Sequence, residues 1–251
     1  MPPRPGRRSA AGIPTRRVPY RVVVLGLAAL SVAALCLGAL GLSGVFPFSP
    51  PAADSTVQVD RPDERPLRVL FVGDSISYGL NAERQDLGFR PLMVDALSAD
   101  GPIQEFHKNR AGATTRTVSR LVDVPQNLDL AVVELGTNDV VHQTAPDEFA
   151  RSYRALLRRL HTESPGVPLL CVGTWGSAGG ADGSDAYNTL IDEECARQGG
   201  AFVSLYGLYP VEANRGPAGR DVFGGASDRF HPNDTGYRAI ADLLLGRIAV
   251  H

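Results

Sequence analysis

The sequence is poor in several residue types and patterns on which common functions depend. Of its 251 residues, one is Trp, three are Cys and 7% are aromatic, so the chain has no obvious stacking platform for a polysaccharide. No group of His, Asp or Glu residues has metal-ligand spacing. No glycine-rich stretch ends in the Gly-Lys-Ser/Thr of a phosphate-binding loop. The sequence therefore predicts no metal, no cofactor and no bound nucleotide.

Acidic residues are absent from the first part of the chain. Residues 1–21 contain six arginines and no Asp or Glu, and residues 22–46 form a run of 25 without a charge. Such a run is long enough to span a bilayer, and the positive flank places the N-terminus inside the cell. The sequence thus predicts a basic cytoplasmic tail (1–21) and a transmembrane signal-anchor helix (22–46). A signal peptide cleaved near residues 39–41 or 52–53 is the alternative.

The rest of the chain is acidic. All 27 Asp and Glu residues but only 19 of the 25 Lys and Arg residues follow residue 21, which gives residues 22–251 a formal net charge of −8. A negatively charged domain is a poor candidate for binding nucleic acid. Residues 47–66, rich in Pro, Ala and Asp, are predicted to form an extended linker. Residues 67–251 are predicted to form one domain outside the cell.

Two cysteines, Cys171 and Cys195, lie beyond the apolar run. An oxidising exterior would allow them to pair. Two buried thiols are the alternative, because Cys171 lies in a predicted strand and Cys195 in the helix that follows it. The sequence leaves this pairing open, and it leaves the oligomeric state open as well.

Apolar runs alternate with stretches of helical periodicity in residues 67–251. Strands are predicted at residues 67–72, 103–107, 128–135, 167–172 and 201–205, and helices at residues 89–99, 114–122, 146–162, 185–198 and 234–249. This alternation predicts an α/β fold in which helices cover both faces of a parallel sheet. The right-handed crossover rule favours a three-layer α/β/α, flavodoxin-like domain with a five-stranded parallel sheet.

Five residues with chemical potential follow the predicted strands. Ser75, Gly112 and Asn138 follow the first, second and third strands, and Asp228 and His231 come after the fifth. Loops at the carboxyl ends of parallel strands gather at one edge of the sheet, where ligands bind. We therefore expect these five residues to lie close together.

These residue types suit nucleophilic catalysis. A serine hydroxyl needs a base to take its proton, and a neutral histidine oriented by a carboxylate is the usual base. Asp228 lies three residues before His231 and can reach Nδ1 of that ring, which leaves Nε2 to face Ser75. The N–H groups of Ser75 and Gly112 and the Asn138 amide are predicted to form an oxyanion hole. A helix N-cap is the structural alternative for Ser75.

Other polar residues near these segments have structural interpretations. Asp74 and Asp139 are predicted to hold the loops by hydrogen bonds rather than to catalyse. Glu134, in an otherwise apolar strand, either hydrogen-bonds beneath these loops or faces solvent at the end of the strand. Structural or solvated positions are predicted for the remaining histidines, which are His107, His142, His161 and His251.

Four segments match, in order, the four blocks of a known family. They are residues 73–75, 109–115, 136–139 and 228–231, which contain Ser75, Gly112, Asn138 and His231. The chain thereby resembles the SGNH (GDSL-type) hydrolases over residues 67–248. The resemblance implies an α/β/α fold and hydrolysis of carboxylic (acyl) esters through an acyl-enzyme, with Ser75, His231 and Asp228 as the catalytic residues.

The resulting prediction is an extracytoplasmic, membrane-anchored serine esterase that acts on a small-molecule, lipid or glycan ester. Two alternatives remain. An O-acetyl glycan deacetylase or acyltransferase would use the same residues with a different substrate or acceptor. A catalytically inactive binding module on a membrane stalk would have no need of a nucleophile, base and carboxylate together.

Overall fold

Five parallel strands form the centre of the domain, as the sequence predicts. The structure is a computed structural model and describes residues 56–176 and 183–251. Along this part of the chain the strands are β1 (Val57–Val59), β2 (Leu67–Gly73), β3 (Ile103–Asn109), β4 (Leu130–Glu134), β5 (Leu169–Val172), β6 (Ala201–Val203), β7 (Asp221–Val222), β8 (Gly225–Ala226) and β9 (Ile248–Val250). The central sheet has the order β3-β2-β4-β5-β6, and every neighbouring pair is parallel.

Seven α-helices connect these strands in the described part of the chain, five of them near the predicted positions, whereas the short helices at Ser75–Tyr78 and Thr137–Val141 were not predicted. The seven helices are α1 (Ser75–Tyr78), α2 (Phe89–Ser98), α3 (Thr115–Leu121), α4 (Thr137–Val141), α5 (Pro146–Glu163), α6 (Ser184–Arg197) and α7 (Asp234–Leu245). Local signals set several of the ends. The longest helix starts with Pro146, followed by Asp147 and Glu148 in its first turn. The side chain of Asn233 caps α7 by accepting a hydrogen bond from Gly236 N at 3.1 Å.

Side chains of β2 alternate between the two faces of the sheet and so divide the core in two. Val69 and Phe71 pack on one face with residues of α2 and α7, whereas Leu70 and Val72 pack on the other with α3, α5 and α6. All four side chains are at most 1% exposed. Burial on both faces accounts for the uninterrupted apolar runs in the sequence. The three-layer α/β/α prediction is confirmed.

A second, two-stranded parallel sheet joins the two ends of the described domain. β1 pairs with β9, with Val57 opposite Ile248 and Val59 opposite Val250. The sequence prediction places residues 57–59 in the linker (47–66), but Val57 and Val59 are 5% and 0% exposed. The alternation of apolar and polar residues at positions 57–59 is only three residues long. It is followed by Asp, Arg and Pro residues, which are typical of a linker, so no clear strand signal is present in the sequence. The folded part of the chain therefore begins before residue 67.

The last helix is shorter than predicted. α7 ends at Leu245, and Ile248–Val250 form a strand where the sequence predicts helix up to residue 249. β-branched residues at both ends of this segment favour a strand once a partner strand is available. That partner, β1, lies far away in sequence, so local periodicity does not reveal the pairing.

The predicted tail (1–21), the predicted membrane segment (22–46) and the first part of the predicted linker lie outside the described residues. Within residues 56–176 and 183–251, no helix is long and apolar enough to cross a membrane.

A disulfide joins the sheet to the helix that covers it. The sulfur atoms of Cys171 in β5 and Cys195 in α6 are 2.02 Å apart. Both residues are fully buried. Of the two states that the sequence leaves open, the structure therefore shows the disulfide, which is typical of proteins that fold in an oxidising compartment.

Removing this disulfide is expected to lower stability. A cross-link between residues separated by 24 positions restricts the unfolded chain and contributes about 3 kcal/mol. The Cys171→Ala/Cys195→Ala variant should unfold at a lower urea concentration than the parent. Dithiothreitol should destabilise the parent and leave the variant unchanged. Equal midpoints for the oxidised parent and the variant would contradict this expectation.

Candidate active site

The turn after β2 holds Ser75 at the carboxyl edge of the sheet. Ser75 is the first residue of α1 and is 5% exposed. Asp74, rather than Ser75, caps this helix, because its Oδ1 accepts a hydrogen bond from Ile76 N at 3.0 Å. Gly73 allows the close approach of the turn: a Cβ there would lie 2.1 Å from Ser77 Oγ. Asp74, not Ser75, is thus the N-cap residue of α1. The Ser75 hydroxyl is therefore free to bind another partner.

His231 supplies that partner. Its Nε2 lies 3.0 Å from Ser75 Oγ, and its Nδ1 lies 2.6 Å from Asp228 Oδ2. A carboxylate at Nδ1 fixes the tautomer in which Nδ1 carries the hydrogen and Nε2 accepts. The structure therefore brings together the three residues that the sequence predicts, with His231 between Ser75 and Asp228.

Asp228 is held by several donors besides the imidazole. Its Oδ1 accepts hydrogen bonds from the backbone N–H groups of Phe230 and His231, both at 2.8 Å. Burial by itself would raise the pKa of Asp228, but the hydrogen bonds and charge of His231 outweigh it and the pKa lies below its ordinary value. The carboxylate is thus ionised and fixed before substrate binds.

Asn81 also holds Asp228, a role that the sequence does not predict. Its Nδ2 donates to Asp228 Oδ1 at 3.1 Å and to the Asp228 carbonyl at 3.2 Å, while its Oδ1 accepts from Asp228 N at 3.3 Å. Asn81 is buried and adopts a left-handed φ of 77°, which asparagine tolerates better than most residues. The one available sequence signal is an asparagine shortly after the nucleophile segment, and that signal is not specific.

Asn138 lies one residue into α4, directly after β4. Gly136 makes the connection with a left-handed φ of 122°, and Asn138 Nδ2 donates a hydrogen bond to Asp74 Oδ2 at 2.9 Å. An amide nitrogen has two hydrogens, so one remains for a ligand. Asn138 is therefore joined to the Ser75 turn through Asp74, which holds the loops as the sequence predicts.

Gly112 lies in the exposed loop after β3 with a left-handed φ of 72°. Arg110 N donates to Gly73 O at 3.1 Å, which ties this loop to the end of β2. Asp139 Oδ2 accepts from both N and Oγ1 of Thr115 at 2.8 Å, which ties the same segment to α4. Neither Ser75 N nor Gly112 N donates to another group within the described residues, so both remain available for an anionic ligand.

Two carboxyl groups lie beneath the site. Asp74 and Glu134 are both fully buried. Burial raises the pKa of Asp74 to about 6, and burial together with the charge of Asp74 raises the pKa of Glu134 well above its ordinary value. Of the two positions that the sequence leaves open for Glu134, the structure shows the buried one, where Oε2 accepts from Ser77 N at 3.1 Å.

Three of the other four histidines make contacts of their own, and the fourth lies on the surface. His161 Nε2 lies 3.0 Å from Val167 O, and His251 Nε2 lies 2.6 Å from Gln58 Oε1. His107, on the edge strand β3, lies beside Arg90. Its pKa is lowered mainly by burial and further by the charge of Arg90. His142 follows α4 on the surface. Within the described residues no group of His, Cys, Asp or Glu is arranged to bind a metal ion.

A cavity of about 310 Å³ is lined by the chain neighbours of Asn138 and His231, but not by Ser75, Asp228 or His231 themselves. Thr137 and Val141 of α4, together with Trp175 and Phe230, contribute to its walls. Trp175 Nε1 donates to Phe230 O at 2.7 Å, and the Phe230 ring packs edge-on against His231 with centroids 5.2 Å apart. One wall of the cavity is thus fixed next to the imidazole.

Comparison with known proteins shows which family the sequence matches and which solved structures share its fold. The profile of the GDSL-like lipase/acylhydrolase family matches residues 71–239, whereas no curated protein sequence gives a significant match. Several solved structures share the fold. TesA is 20% identical with a TM-score of 0.60, over 72% of this chain and 97% of that one.

Two esterase structures are similar to the same extent. The psychrotrophic esterase EstA from Pseudoalteromonas sp. is 16% identical with a TM-score of 0.55, over 72% of this chain and 96% of that one. Axe2, an acetylxylan esterase from Geobacillus stearothermophilus, is 18% identical with a TM-score of 0.54, over 72% of this chain and 93% of that one. At such identities these structures show a common fold and nothing more specific.

Proposed function

This chain belongs to the GDSL-like lipase/acylhydrolase family, and we propose that it hydrolyses carboxylic esters with Ser75 as nucleophile, His231 as base and Asp228 as the carboxylate that orients the base. One observation carries the proposal. Ser75 Oγ, the His231 ring and the Asp228 carboxylate form a continuous chain of hydrogen bonds, at 3.0 Å and 2.6 Å.

The chemistry follows from this chain of contacts. His231 Nε2 takes the proton of Ser75 Oγ as the oxygen attacks the ester carbonyl carbon, and the carbonyl oxygen becomes an oxyanion. His231 then gives the proton to the departing alcohol, which leaves an acyl group on Ser75. Water repeats the sequence with the same base, releases the carboxylic acid and restores the serine.

Three donors are proposed to stabilise the oxyanion. They are the Ser75 N–H, the Gly112 N–H and the second hydrogen of the Asn138 amide. Each is fixed before the reaction: Ser75 by its helix, Gly112 by the bond from Arg110 N to Gly73 O, and Asn138 by Asp74. Fixed donors stabilise developing charge without reorganising as it forms, which makes them effective in catalysis.

We propose further that the domain acts outside the cytoplasm, held at the membrane by residues 22–46. The charge pattern of residues 1–46 and the buried Cys171–Cys195 disulfide support this location. Fractionation of cells that produce the full chain tests it. The protein should sediment with membranes, resist extraction by high salt and be accessible to protease only from the exterior. Recovery in the cytosolic fraction would contradict the proposed location.

The substrate class can be tested by measuring hydrolysis of esters that differ in acyl-chain length. The full chain in detergent should hydrolyse p-nitrophenyl acetate, butyrate or octanoate, and the preferred length reports how much acyl chain the cavity beside Phe230 accepts. Strong preference for acetate would favour an acetyl-ester substrate such as an acetylated glycan. A folded protein that labels at Ser75 with a fluorophosphonate yet turns over none of these esters would favour the transferase or deacetylase alternative. Failure to label would favour the binding module.

A further inference from the structure

Asp74 and Glu134 form a buried carboxyl pair behind the proposed nucleophile and oxyanion hole. Both are 0% exposed, and both accept from the first turn of α1, Asp74 Oδ1 from Ile76 N and Glu134 Oε2 from Ser77 N. Each carboxyl also shifts the pKa of the other. The charge of His231 reaches Asp74 from the site. The negative charge of the pair raises the pKa of two buried tyrosines on opposite faces of the sheet, Tyr153 on α5 and Tyr237 on α7. Within the described residues no Lys or Arg forms an ion pair with either carboxyl.

Two buried carboxyl groups in contact cannot both remain ionised at neutral pH. Each would lose hydration, and the two negative charges would repel each other at short range. The arrangement is stable when the pair shares one proton, which converts the repulsion into an O–H to carboxylate hydrogen bond. One of the two residues therefore holds a proton in the folded protein.

Hydrogen bonds identify which residue holds it. Both oxygens of Asp74 accept: Oδ1 from Ile76 N at 3.0 Å and Oδ2 from Asn138 Nδ2 at 2.9 Å. On Glu134, Oε2 accepts from Ser77 N at 3.1 Å, and the Asp74 N–H and the Ser77 hydroxyl also act to lower the pKa of this carboxyl. Its other oxygen, Oε1, is buried and has no hydrogen-bond partner among the described residues. Donors stabilise the ionised form of a carboxyl. The charge therefore belongs on Asp74 and the proton on Oε1 of Glu134.

The pKa shifts have the same order. Burial raises the pKa of Asp74 to about 6, with the hydrogen bond from Ile76 N opposing the rise. Burial and the neighbouring charge of Asp74 raise the pKa of Glu134 well above 4.5, its ordinary value. Glu134 thus has the larger upward shift, and Asp74 is the first of the two to lose its proton as the pH rises.

We propose that Glu134 is a positioning residue of this site. It stays protonated at neutral pH and donates a hydrogen bond to Asp74, so that Asp74 remains an ionised acceptor for the Asn138 amide. The proposal rests on the proposed function, because it assigns Asn138 to the oxyanion hole. Without an anionic acceptor at Asp74, the side-chain amide of Asn138 would be free to rotate by about 180° and present its oxygen, instead of its nitrogen, to the oxyanion. The buried pair therefore selects the orientation of Asn138 in which nitrogen faces the reaction.

Two substitutions at Glu134 separate this role from simple packing. Glu134→Ala removes the donor to Asp74, and kcat for p-nitrophenyl ester hydrolysis by the full chain should fall about 10- to 100-fold with KM nearly unchanged, because the Asn138 contact strengthens only in the transition state. Glu134→Gln retains both a donor for Asp74 and an acceptor for Ser77 N. It should rescue kcat to within about threefold of the parent. Full activity of Glu134→Ala, or equal losses in both variants, would overturn the proposal.

The proton itself is tested by stability, without reference to activity. Since the pKa of Glu134 is raised on folding, the folded state keeps a proton that the unfolded chain releases. The parent should therefore lose stability as pH rises from the unfolded pKa toward the folded one. The Gln variant lacks this group. Above about pH 6, where Asp74 is already ionised, the folding equilibrium constant of the parent should fall relative to Glu134→Gln by up to about tenfold per pH unit.

The outcomes distinguish this inference from the proposed function. Parallel stability curves for the parent and Glu134→Gln between pH 6 and about pH 8, the span in which most domains are stable, would overturn the assignment of the proton, even in an active esterase. Absence of Ser75-dependent turnover in the parent would instead contradict the proposed function. This stability comparison also stands if Glu134→Ala does not fold.

Discussion

Ser75→Ala is expected to lower kcat for ester hydrolysis by a factor of about 10⁴ to 10⁶, which is the effect of removing the nucleophile from other serine–histidine sites. The hydroxyl of Ser75 hydrogen-bonds His231 and no other side chain in the described residues. Its removal should therefore leave the fold intact. The measurement is steady-state hydrolysis of p-nitrophenyl esters by purified parent and variant, with thermal unfolding recorded for both.

A matched control comes from a serine outside the site. The Ser119 hydroxyl donates to Arg116 O on α3, and Ser119→Ala should keep parental turnover. Labelling by a fluorophosphonate should be lost in Ser75→Ala and kept in Ser119→Ala. Turnover within tenfold of the parent by folded Ser75→Ala would exclude Ser75 as the nucleophile.

Asp228→Asn is expected to lower kcat by about 10⁴-fold, although it changes a single atom of the side chain. Two backbone N–H groups, of Phe230 and His231, fix Oδ1 of Asp228 as an acceptor. An asparagine in this frame keeps its oxygen there and presents its NH₂ group to Nδ1 of His231. The imidazole must then accept at Nδ1 and carry its hydrogen at Nε2, where it can no longer take the proton of Ser75.

Asp228→Ala makes this explanation testable. Alanine removes the orienting carboxylate but does not impose the opposite tautomer, so it should impair kcat no more than asparagine does. An Asp228→Asn variant that is much faster than Asp228→Ala would show that the tautomer is not controlled in this way. It would indicate that another acceptor orients His231 during the reaction.

Much of the site was predictable because its residues have recognisable positions in the sequence, either close to one another or directly after a predicted strand. Asp228 and His231 are three residues apart, a separation over which a carboxylate can turn back onto Nδ1. Ser75 and Asn138 each follow an apolar run that is long enough to be recognised as a buried strand. Since parallel strands end at one edge, order along the chain was sufficient to bring these residues together.

Other contacts were beyond sequence analysis because their partners are far apart and have no periodic signal. Asn81 and Asp228 are separated by 147 positions, and nothing near Asn81 indicates that its amide faces a carboxylate. Glu134 at the end of an apolar strand is compatible with either solvent or burial, and only the neighbouring turn decides which. The pairing of Cys171 with Cys195 depends on a distance between strand and helix that composition does not fix.

The pairing of β1 with β9 bears on how this domain can be shortened. A fragment that begins at residue 67 lacks β1 and leaves the backbone of Ile248–Val250 without the partner it has in the whole domain. An uncovered strand edge with apolar side chains is a template for strand addition by another copy. Such a fragment would therefore be inclined to aggregate even though it contains Ser75, Asp228 and His231. Residues 56–66 belong with the domain in any shortened form.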